Sequence, residues 1–589
     1  MNGNICYLCK DIMALNKKWI VKEPGNPALV RQLAAELGVD QALANLLVQR
    51  NIKSFEEAKT FFRPSLDNLH DPFLMKDMDK AVKRLDRAVK ESEKILVYGD
   101  YDVDGTTAVA LVYSFLRKET PMVSYYIPDR YTEGYGISYI GIDAAAEDGC
   151  TLMIALDCGI KAAEKVEYAK KKGIDFIICD HHLPAEELPQ AVAVLDPKRA
   201  DCTYPFDELS GCGVGFKFMQ AYCLHRNISF TELYPFLDLL VVSIASDLVS
   251  ITGENRILAH FGLKQLNEAP RKGLQSIIKL AGLEKHQITV DDIVFKIGPR
   301  INAAGRMESG KMAVDLLISR TDDDAQQIGI TINTHNNDRK NIDREITMEA
   351  LAMVREMPDL DNKKSTVVYN PNWHKGVVGI VASRLVENYY RPTIVLTQSN
   401  GFITGSARSI PGFDLYEAIE SCSDLLENFG GHMYAAGLTM SEEHYEEFCQ
   451  RFEKIVAEKV SEDMLTPLVN IDTYLDFKQI TPKFFRLLKQ FQPFGPGNLS
   501  PVFVTENVYD NGNGRLVGTD GGHLKLELIQ EDEPYRPISA IAFNQSEHFE
   551  HMQSGNPVDI CYSVAENYYR GIANIQLRVK DIKAREDIV

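Results

Sequence analysis

The sequence predicts a multidomain α/β protein: a mostly parallel-sheet domain, a second and smaller α/β domain joined to it by a long helix, and a small C-terminal β-barrel. Three observations predict it. At 589 residues the chain exceeds what one hydrophobic core sustains, so about three or four domains are expected. From Ile95 onward, apolar runs without strict alternation are separated by helical patterns, as parallel strands covered on both faces require. After about Leu468, short β-prone runs are punctuated by Gly/Asn turns.

Composition narrows the function classes. The chain is 25% charged and 45% hydrophobic, as ordinary water-soluble proteins are. No apolar run approaches the roughly 18 residues of a membrane span. Asp11, Lys17 and Lys18 interrupt the one N-terminal stretch resembling a signal peptide, so a cytoplasmic location is expected. A net charge of −19 excludes a protein that coats duplex DNA through a basic surface, but not a nuclease with a narrow positive channel and metal-binding carboxylates. The eleven cysteines are scattered; Cys158, Cys179 and Cys212 fit buried thiols, and Cys6-x-x-Cys9 has no second pair to complete a zinc site. Met13 to Trp19 reads as an alternative start, and no heptad run demands a dimer, so a monomer is expected.

Taken in order, residues 28–37, 42–50, 55–62 and 77–92 read as helices, the first three within an N-terminal lead-in, 1–75. Domain 76–320 then alternates strands at 95–97, 123–127, 151–156, 175–179 and 191–195 with helices at 108–116, 137–147 and 160–171. Further helices are expected at 255–266 and 312–318, and a long polar helix over 321–360, with charge pairs such as Arg339 and Asp343, connects to the next domain. Domain 361–464 repeats strand and helix, with strands at 365–369, 393–397 and 402–407 and helices at 376–389, 415–421 and 442–462. Residues 465–589 give strands at 502–508, 514–518, 524–529, 538–543, 558–564 and 575–583, predicting a small antiparallel barrel of OB type. Tyr509, Phe543, Tyr562, Tyr568, Tyr569 and Arg570 fit either stacking and phosphate contacts or, for half of the aromatics, barrel core.

Chemistry concentrates where strands end. Tyr98-Gly99-Asp100-Tyr101-Asp102-Val103-Asp104-Gly105 places three carboxylates at alternate positions after an apolar run, and ionised groups are rarely buried without an opposite charge or a metal. If the strand continues this far, Asp102 and Asp104 face one side together. Two readings fit: a site for Mg²⁺ or Mn²⁺, or an acidic turn. A calcium loop needs Glu where Leu111 stands. Asp157, Asp180-His181-His182 and Asp247 close further apolar runs, and Asp and His groups converging at one rim suit two divalent ions. Arg300, Asn302 and Arg306 sit among small residues that suit either close approach of a polar ligand or a glycine-rich turn. Trp373-His374-Lys375-Gly376, Gly405-Ser406-Ala407-Arg408-Ser409 and Phe429-Gly430-Gly431-His432 fit either a phosphate cradle or structural turns.

These ordered motifs resemble the DHH phosphoesterase superfamily, and within it the bacterial single-strand-specific 5'→3' exonucleases, over about residues 75–585. Small phosphatases of the superfamily begin the first motif with histidine where this chain has Tyr98, which favours the exonuclease branch. The resemblance implies a catalytic domain, an associated substrate-binding domain and an OB fold. It implies two ions, Mn²⁺ or Mg²⁺, held by Asp102, Asp104, Asp157, His181 and Asp247, with Asp157 bridging and Asp100 supporting or partly ligating. His182 would contact the scissile phosphate. Arg408 and His432, with Ser406, Gly430 and Gly431, would hold the 5' phosphate, and Trp373 and His374 would lie behind the ligands or against substrate. Implied partners are single-stranded DNA, single-strand-binding protein and a RecQ-type helicase, and an opening too narrow for duplex would confer strand specificity. A DHH enzyme for short oligonucleotides or cyclic dinucleotides, and a non-enzymatic DNA-binding scaffold, are the competing readings.

Overall fold

The computed structural model describes residues 16–519, 521–531, 533–569 and 572–584, so Cys6, Cys9, Met13, Arg570 and the side chains of Tyr568 and Tyr569 lie outside the described residues. The chain divides into two compact units: residues 63–340 with 492–499, and residues up to 62 with 341–491 and those from 500 onward.

Strand β1 (Lys18–Val21) precedes helices Pro27–Leu37, Gln41–Gln49 and Phe55–Phe62. The side chains of Asn26 and Asp40 accept the amides of Ala28, Leu29 and Ala42, which fixes where the first two helices start.

In residues 63–340, β2 (Ile95–Gly99), β3 (Val123–Tyr126), β4 (Leu152–Leu156), β5 (Asp175–Cys179) and β6 (Ala193–Leu195) form a parallel sheet of order β3-β2-β4-β5-β6. β2, β4 and β6 are buried along their whole length, which explains why their sequences do not alternate. Helices Met78–Lys90, Val103–Glu119, Gly211–Arg226 and Leu237–Ser246 cover one face. Tyr139–Glu147 and Ala163–Lys171 cover the other. The chain leaves β2 for β3 on one side and β4 for β5 on the other, so the crevice at the C-terminal ends of β2 and β4 is a topological switch point, where ligands of such sheets bind.

One local expectation is corrected there. The strand does not continue to Asp104: β2 stops at Gly99 and the helix begins at Val103, not Ala108. Asp102 is its N-cap, with Oδ1 accepting the Gly105 amide at 3.0 Å, so a cap rather than a pleat orients this pair. Of the two readings around Arg300, the glycine-rich turn does not form; a π-turn at Ile293–Ile297 leads into helix Gly298–Met307. Its glycines serve helix packing: a Cβ on Gly298 would lie 2.8 Å from Ser246 Oγ, and one on Gly305 2.9 Å from the Tyr101 carbonyl oxygen. Helix Asp322–Arg355 follows, 34 residues long.

In the other unit, β7 (Thr366–Tyr369), β8 (Thr393–Ser399), β9 (Phe402–Arg408), β10 (Asn428–His432) and β11 (Ala435–Met440) form a sheet of order β10-β11-β9-β8-β7, parallel only between β7 and β8. The β10–β11 hairpin contains the Gly430-Gly431-His432 cluster, whose low β-propensity hides it as a strand. Gly431 has φ +149°, and a Cβ there would lie 2.3 Å from the Ala435 carbonyl oxygen. Helices Val378–Tyr389, Leu415–Glu420 and Tyr445–Lys459 complete the lobe.

β12 (Leu468–Ile471) pairs in parallel with β1. β13 (Thr473–Tyr474) leads into the barrel: β14 (Phe503–Asp510), β15 (Arg515–Val517), β16 (His523–Gln530), β17 (Glu533–Ala542), β18 (Val558–Tyr569) and β19 (Ile572–Ala584). Pairing runs β14-β18-β19-β17-β16 and closes through β14–β16, a five-stranded OB barrel. It is not wholly antiparallel, because β17 pairs in parallel with β19. Tyr562 belongs to its core, Tyr509 is half-buried and Phe543 is exposed. Residues 492–499 belong instead with the parallel-sheet unit, where the Ile251 amide donates to the Pro496 carbonyl at 2.7 Å. Among the described residues, no helix is long and apolar enough to cross a membrane.

Candidate metal centre and phosphate cradle

The centre is built at the switch point. Asp104, in the first turn of helix Val103–Glu119, is buried and accepts the Gly211 and Cys212 amides at 2.7 and 2.8 Å and the Ser243 hydroxyl at 2.7 Å. These donors belong to the N-terminus of helix Gly211–Arg226, whose dipole favours a carboxylate, and to helix Leu237–Ser246. Asp157 follows β4 in the left-handed region at φ +58°, a conformation Asp tolerates better than most residues. His181 follows β5, and Asp247 caps the C-terminus of helix Leu237–Ser246.

These four converge. His181 Nε2 lies 3.2 Å from Asp157 Oδ1, 3.6 Å from Asp247 Oδ2 and 3.8 Å from Asp104 Oδ2. Both His181 ring nitrogens and Asp157 Oδ1 are buried without a hydrogen-bond partner. Two overlapping triads have ligand atoms within 4.8 Å of one another: Asp104, His181 and Asp247, and Asp157, His181 and His182. His182 is otherwise engaged, with Nδ1 2.7 Å from Asp180 Oδ1 and Nε2 3.2 Å from the Tyr135 hydroxyl. Asp100 and Asp102 lie outside both triads. Asp100 is fully buried beside Asp102, which is half-buried and caps the helix.

The electrostatics call for a cation. Burial, then the Asp104 and Asp102 charges, push Asp157 well above the carboxylate range and Asp247 up to about 8. Burial and the Asp102 charge raise Asp100 to about 8, although the Tyr101 and Gly136 amides incline toward it without completing hydrogen bonds. Asp102 is raised by burial and by Asp104. Burial lowers His181, favouring the neutral imidazole that ligates metals. Asp180 differs: burial alone would raise it, but the His182 hydrogen bond and charge and the Ile160 amide hold it at about 2. In return, Asp180 outweighs the burial of His182 and holds that imidazole up at about 9.

A pH dependence follows from these shifts. A carboxyl raised on folding stabilises the fold below its unfolded pKa, and that contribution is lost as pH rises through the folded value. Asp100 and Asp247 therefore cost stability between about 4 and 8, and His182, raised above 6.5, acts in the same direction up to about 9. In chelator, the thermal midpoint is expected to fall between pH 6.5 and 8.5, and saturating Mn²⁺ to remove most of that fall. A midpoint in chelator that rises over this interval would contradict the charge assignment.

The remaining expected residues separate. Arg300, half-buried, donates from Nε to Asn333 Oδ1 at 3.1 Å and from Nη1 to the Lys296 carbonyl at 2.7 Å. Asn302 and Arg306 are half-buried on the same helix, and the Arg306 carbonyl accepts the Tyr131 hydroxyl. Trp373 is corrected: it is 5% exposed within a hydrophobic core, with Nε1 bonded to Glu349 Oε2 at 2.8 Å, so its ring is not open to substrate. His374 is half-buried, with Nδ1 accepting the Gly376 amide.

In that same unit, β9 and the β10–β11 hairpin form the second cluster. Ser406 pairs with Gly437 and Gly437 with Gly430; Arg408 pairs with Ala435 and Ala435 with His432. Residues two apart on a strand share a face, so Ser406, Arg408, Gly430 and His432 lie on one face around a floor of small residues. Arg408 donates to Ser406 Oγ and the Ala407 carbonyl, both at 2.8 Å, and has no acidic partner among the described residues. Burial lowers its pKa.

Comparisons with known proteins agree with this layout. The DHH family N-terminal domain matches residues 94–244, the DHHA1 domain 362–458 and the RecJ OB domain 471–581. The single-stranded-DNA-specific exonuclease RecJ of Bacillus subtilis is 35% identical over 98% of this chain and 72% of its own. The chain belongs to the RecJ family. RecJ of Haemophilus influenzae is 32% identical over 88% of this chain and 92% of its own. The crystal structure of RecJ with Mn²⁺ from Thermus thermophilus superposes with a TM-score of 0.81 at 25% identity, covering 96% of this chain and 79% of that one. Its Mg²⁺ complex gives 0.76 at 24% identity.

Within this RecJ-family centre, several contributors escaped the sequence reading. Ser243, Gly211 and Cys212, which hold Asp104, come from helices far along the chain and carry no motif. Tyr135 and Arg130 carried a signal, since Arg130-Tyr131-Thr132-Glu133-Gly134-Tyr135-Gly136 follows β3 at the strand-end rim. Arg130 lies over the Tyr101 ring, 4.9 Å from its centroid.

Proposed function

We propose that the chain hydrolyses single-stranded DNA from its 5' end and releases 5'-mononucleotides, using two divalent ions, Mn²⁺ or Mg²⁺. The observation that carries this reading is His181, buried with both ring nitrogens unpartnered among Asp104, Asp157 and Asp247, whose like charges no Lys or Arg side chain among the described residues offsets at bonding distance. That donor set of carboxylate oxygens and neutral imidazole fits Mn²⁺ and Mg²⁺. Asp104, Asp157, His181 and Asp247 would be the core ligands, Asp102 would offer its remaining oxygen, and Asp100 would support from behind. When held there, such ions would supply an acidified water and offset charge building on the phosphate oxygens. His182, oriented through Nδ1 by Asp180 and held cationic, donates from Nε2 to the scissile phosphate. Arg408 and His432, with Ser406 and the Gly430 and Gly431 backbone, receive the 5' phosphate.

The barrel retains the strand. Two adjoining cavities of about 730 and 530 Å³ share Pro537, Ser539, Asn574 and Ile575, and Arg486, Arg536, Arg515 and Lys525 line them. Phe543 is exposed and available for stacking. Single-strand-binding protein and a RecQ-type helicase, which present or generate single strands in the cytoplasm, are the proposed partners.

The test is nucleotide release from a labelled single strand. Expected results are 5'-mononucleotides appearing first from the 5' end, no release in chelator and recovery with Mn²⁺ or Mg²⁺. A length series separates the alternative: turnover confined to dinucleotides would refute the exonuclease reading.

A further inference from the structure

We propose that Asn336, Arg339 and Lys340 of the long helix, together with Arg300, form an anion subsite that grips a phosphodiester of the bound strand other than the one cleaved. The inference rests on the exonuclease reading and adds residues that the ordered motifs do not contain.

Helix Asp322–Arg355 places Asn336 and Arg339 three residues apart, and so on one face. Arg339 Nη2 donates to Asn336 Oδ1 at 3.1 Å. Asn336 is completely buried, yet its Nδ2 has no acceptor, an exception to the rule that buried donors are paired. Arg300 reaches the neighbourhood from helix Gly298–Met307, bonded there to Asn333 Oδ1 and to a carbonyl, both neutral. Lys340 is exposed, and neither it nor Arg300 forms an ion pair among the described residues. Elsewhere in this unit, bases meet acids: Lys296 meets Asp292, Lys311 meets Asp315 and Lys272 meets Asp322.

The cations also act on one another. Burial and then the Arg339 charge lower Arg300; burial and then Arg300 and Arg339 lower Lys340. Gathering like charges around an unsatisfied amide is unfavourable unless an anion with several acceptor oxygens completes the group. A phosphodiester suits it, since guanidinium forks match phosphate oxygens and Asn336 Nδ2 supplies a neutral donor. The helix bearing Arg300 also packs through Gly298 against Ser246, next to Asp247.

The experiment measures binding by the full-length chain, in Ca²⁺, of 5'-phosphorylated single strands that each carry one neutral methylphosphonate at a successive linkage. For wild type, one internal linkage is expected to weaken binding about tenfold, as loss of a charged hydrogen bond does. Lys340→Gln is expected to weaken binding of the unmodified strand about tenfold, reduce the salt slope by about 0.7 and abolish the penalty at that linkage. Arg339→Gln should do the same if it folds, and Lys340, being exposed, carries the test if it does not. A Lys340→Gln variant with unchanged affinity and salt slope, or an undiminished linkage penalty, overturns the subsite. So does a flat scan in which a 5'-mononucleotide competes with wild type but not with the variant, because the group then holds product. Binding alone decides these outcomes, whereas failure of metal-dependent nucleotide release by wild type would count against the exonuclease reading.

Discussion

Asp157→Asn is expected to lower single-turnover cleavage of single-stranded DNA by at least about 10³-fold, equivalent to about 4 kcal/mol of transition-state stabilisation. The same substitution should raise the melting temperature of the chelated protein. Both effects have one cause. Asp157 sits amid Asp104, Asp102 and Asp247, and without ions its charge is opposed by burial and by those neighbours. An amide of the same shape removes that repulsion but cannot neutralise a bound cation. Asn is a better choice than Ala because position 157 has φ +58°, which Asn adopts at little cost and Ala does not. Mn²⁺ should then raise the midpoint of wild type strongly and that of the variant weakly, since stabilisation by a ligand grows with the logarithm of its affinity for the folded state. Near wild-type cleavage, or an undiminished midpoint shift with Mn²⁺, would remove Asp157 from the centre.

Why the centre was legible in sequence and its supports were not follows from where the residues lie. Asp157 and Asp180-His181-His182 each close a buried apolar run, and the rule that parallel sheets bind at strand C-termini gathers them without coordinates. Asp104 was found for a partly wrong reason: an extended backbone through 104 was expected, but the Asp102 cap starts the helix at Val103. Its restraining groups, Gly211, Cys212 and Ser243, lie more than 100 residues away in sequence, and no local pattern announces that distance. Trp373 misled in the opposite direction. A tryptophan next to His374 suggests substrate contact, but whether an aromatic residue faces solvent or core depends on packing by helix residues such as Ile346 and Ala350, which its own segment does not encode. The β10 and β11 strands were missed because glycine and histidine carry little β-propensity; cross-strand pairing with β9 forms them.

That pairing underlies the second large effect. Arg408→Gln is expected to slow cleavage of 5'-phosphorylated single strands by on the order of 10²-fold while slowing 5'-hydroxyl strands only a few-fold, as removal of one preorganised donor to a charged group does. Arg408 has the attributes of an unsatisfied anion receptor: it is partly buried, bonded only to Ser406 Oγ and a carbonyl, and free of acidic partners among the described residues. His432 lies in the same cross-strand row, with Ala435 of β11 between them, so His432→Asn should reproduce the selectivity change at about tenfold, the smaller value reflecting a single donor on an exposed side chain. The ratio between the two substrates is the informative quantity. Gln retains the bond to Ser406, so a folding defect would depress both substrates equally, whereas loss of phosphate recognition depresses only one. Equal slowing of both, with an unchanged melting temperature, would mean that Arg408 holds the strand elsewhere along its backbone and that the 5' phosphate is received by other groups.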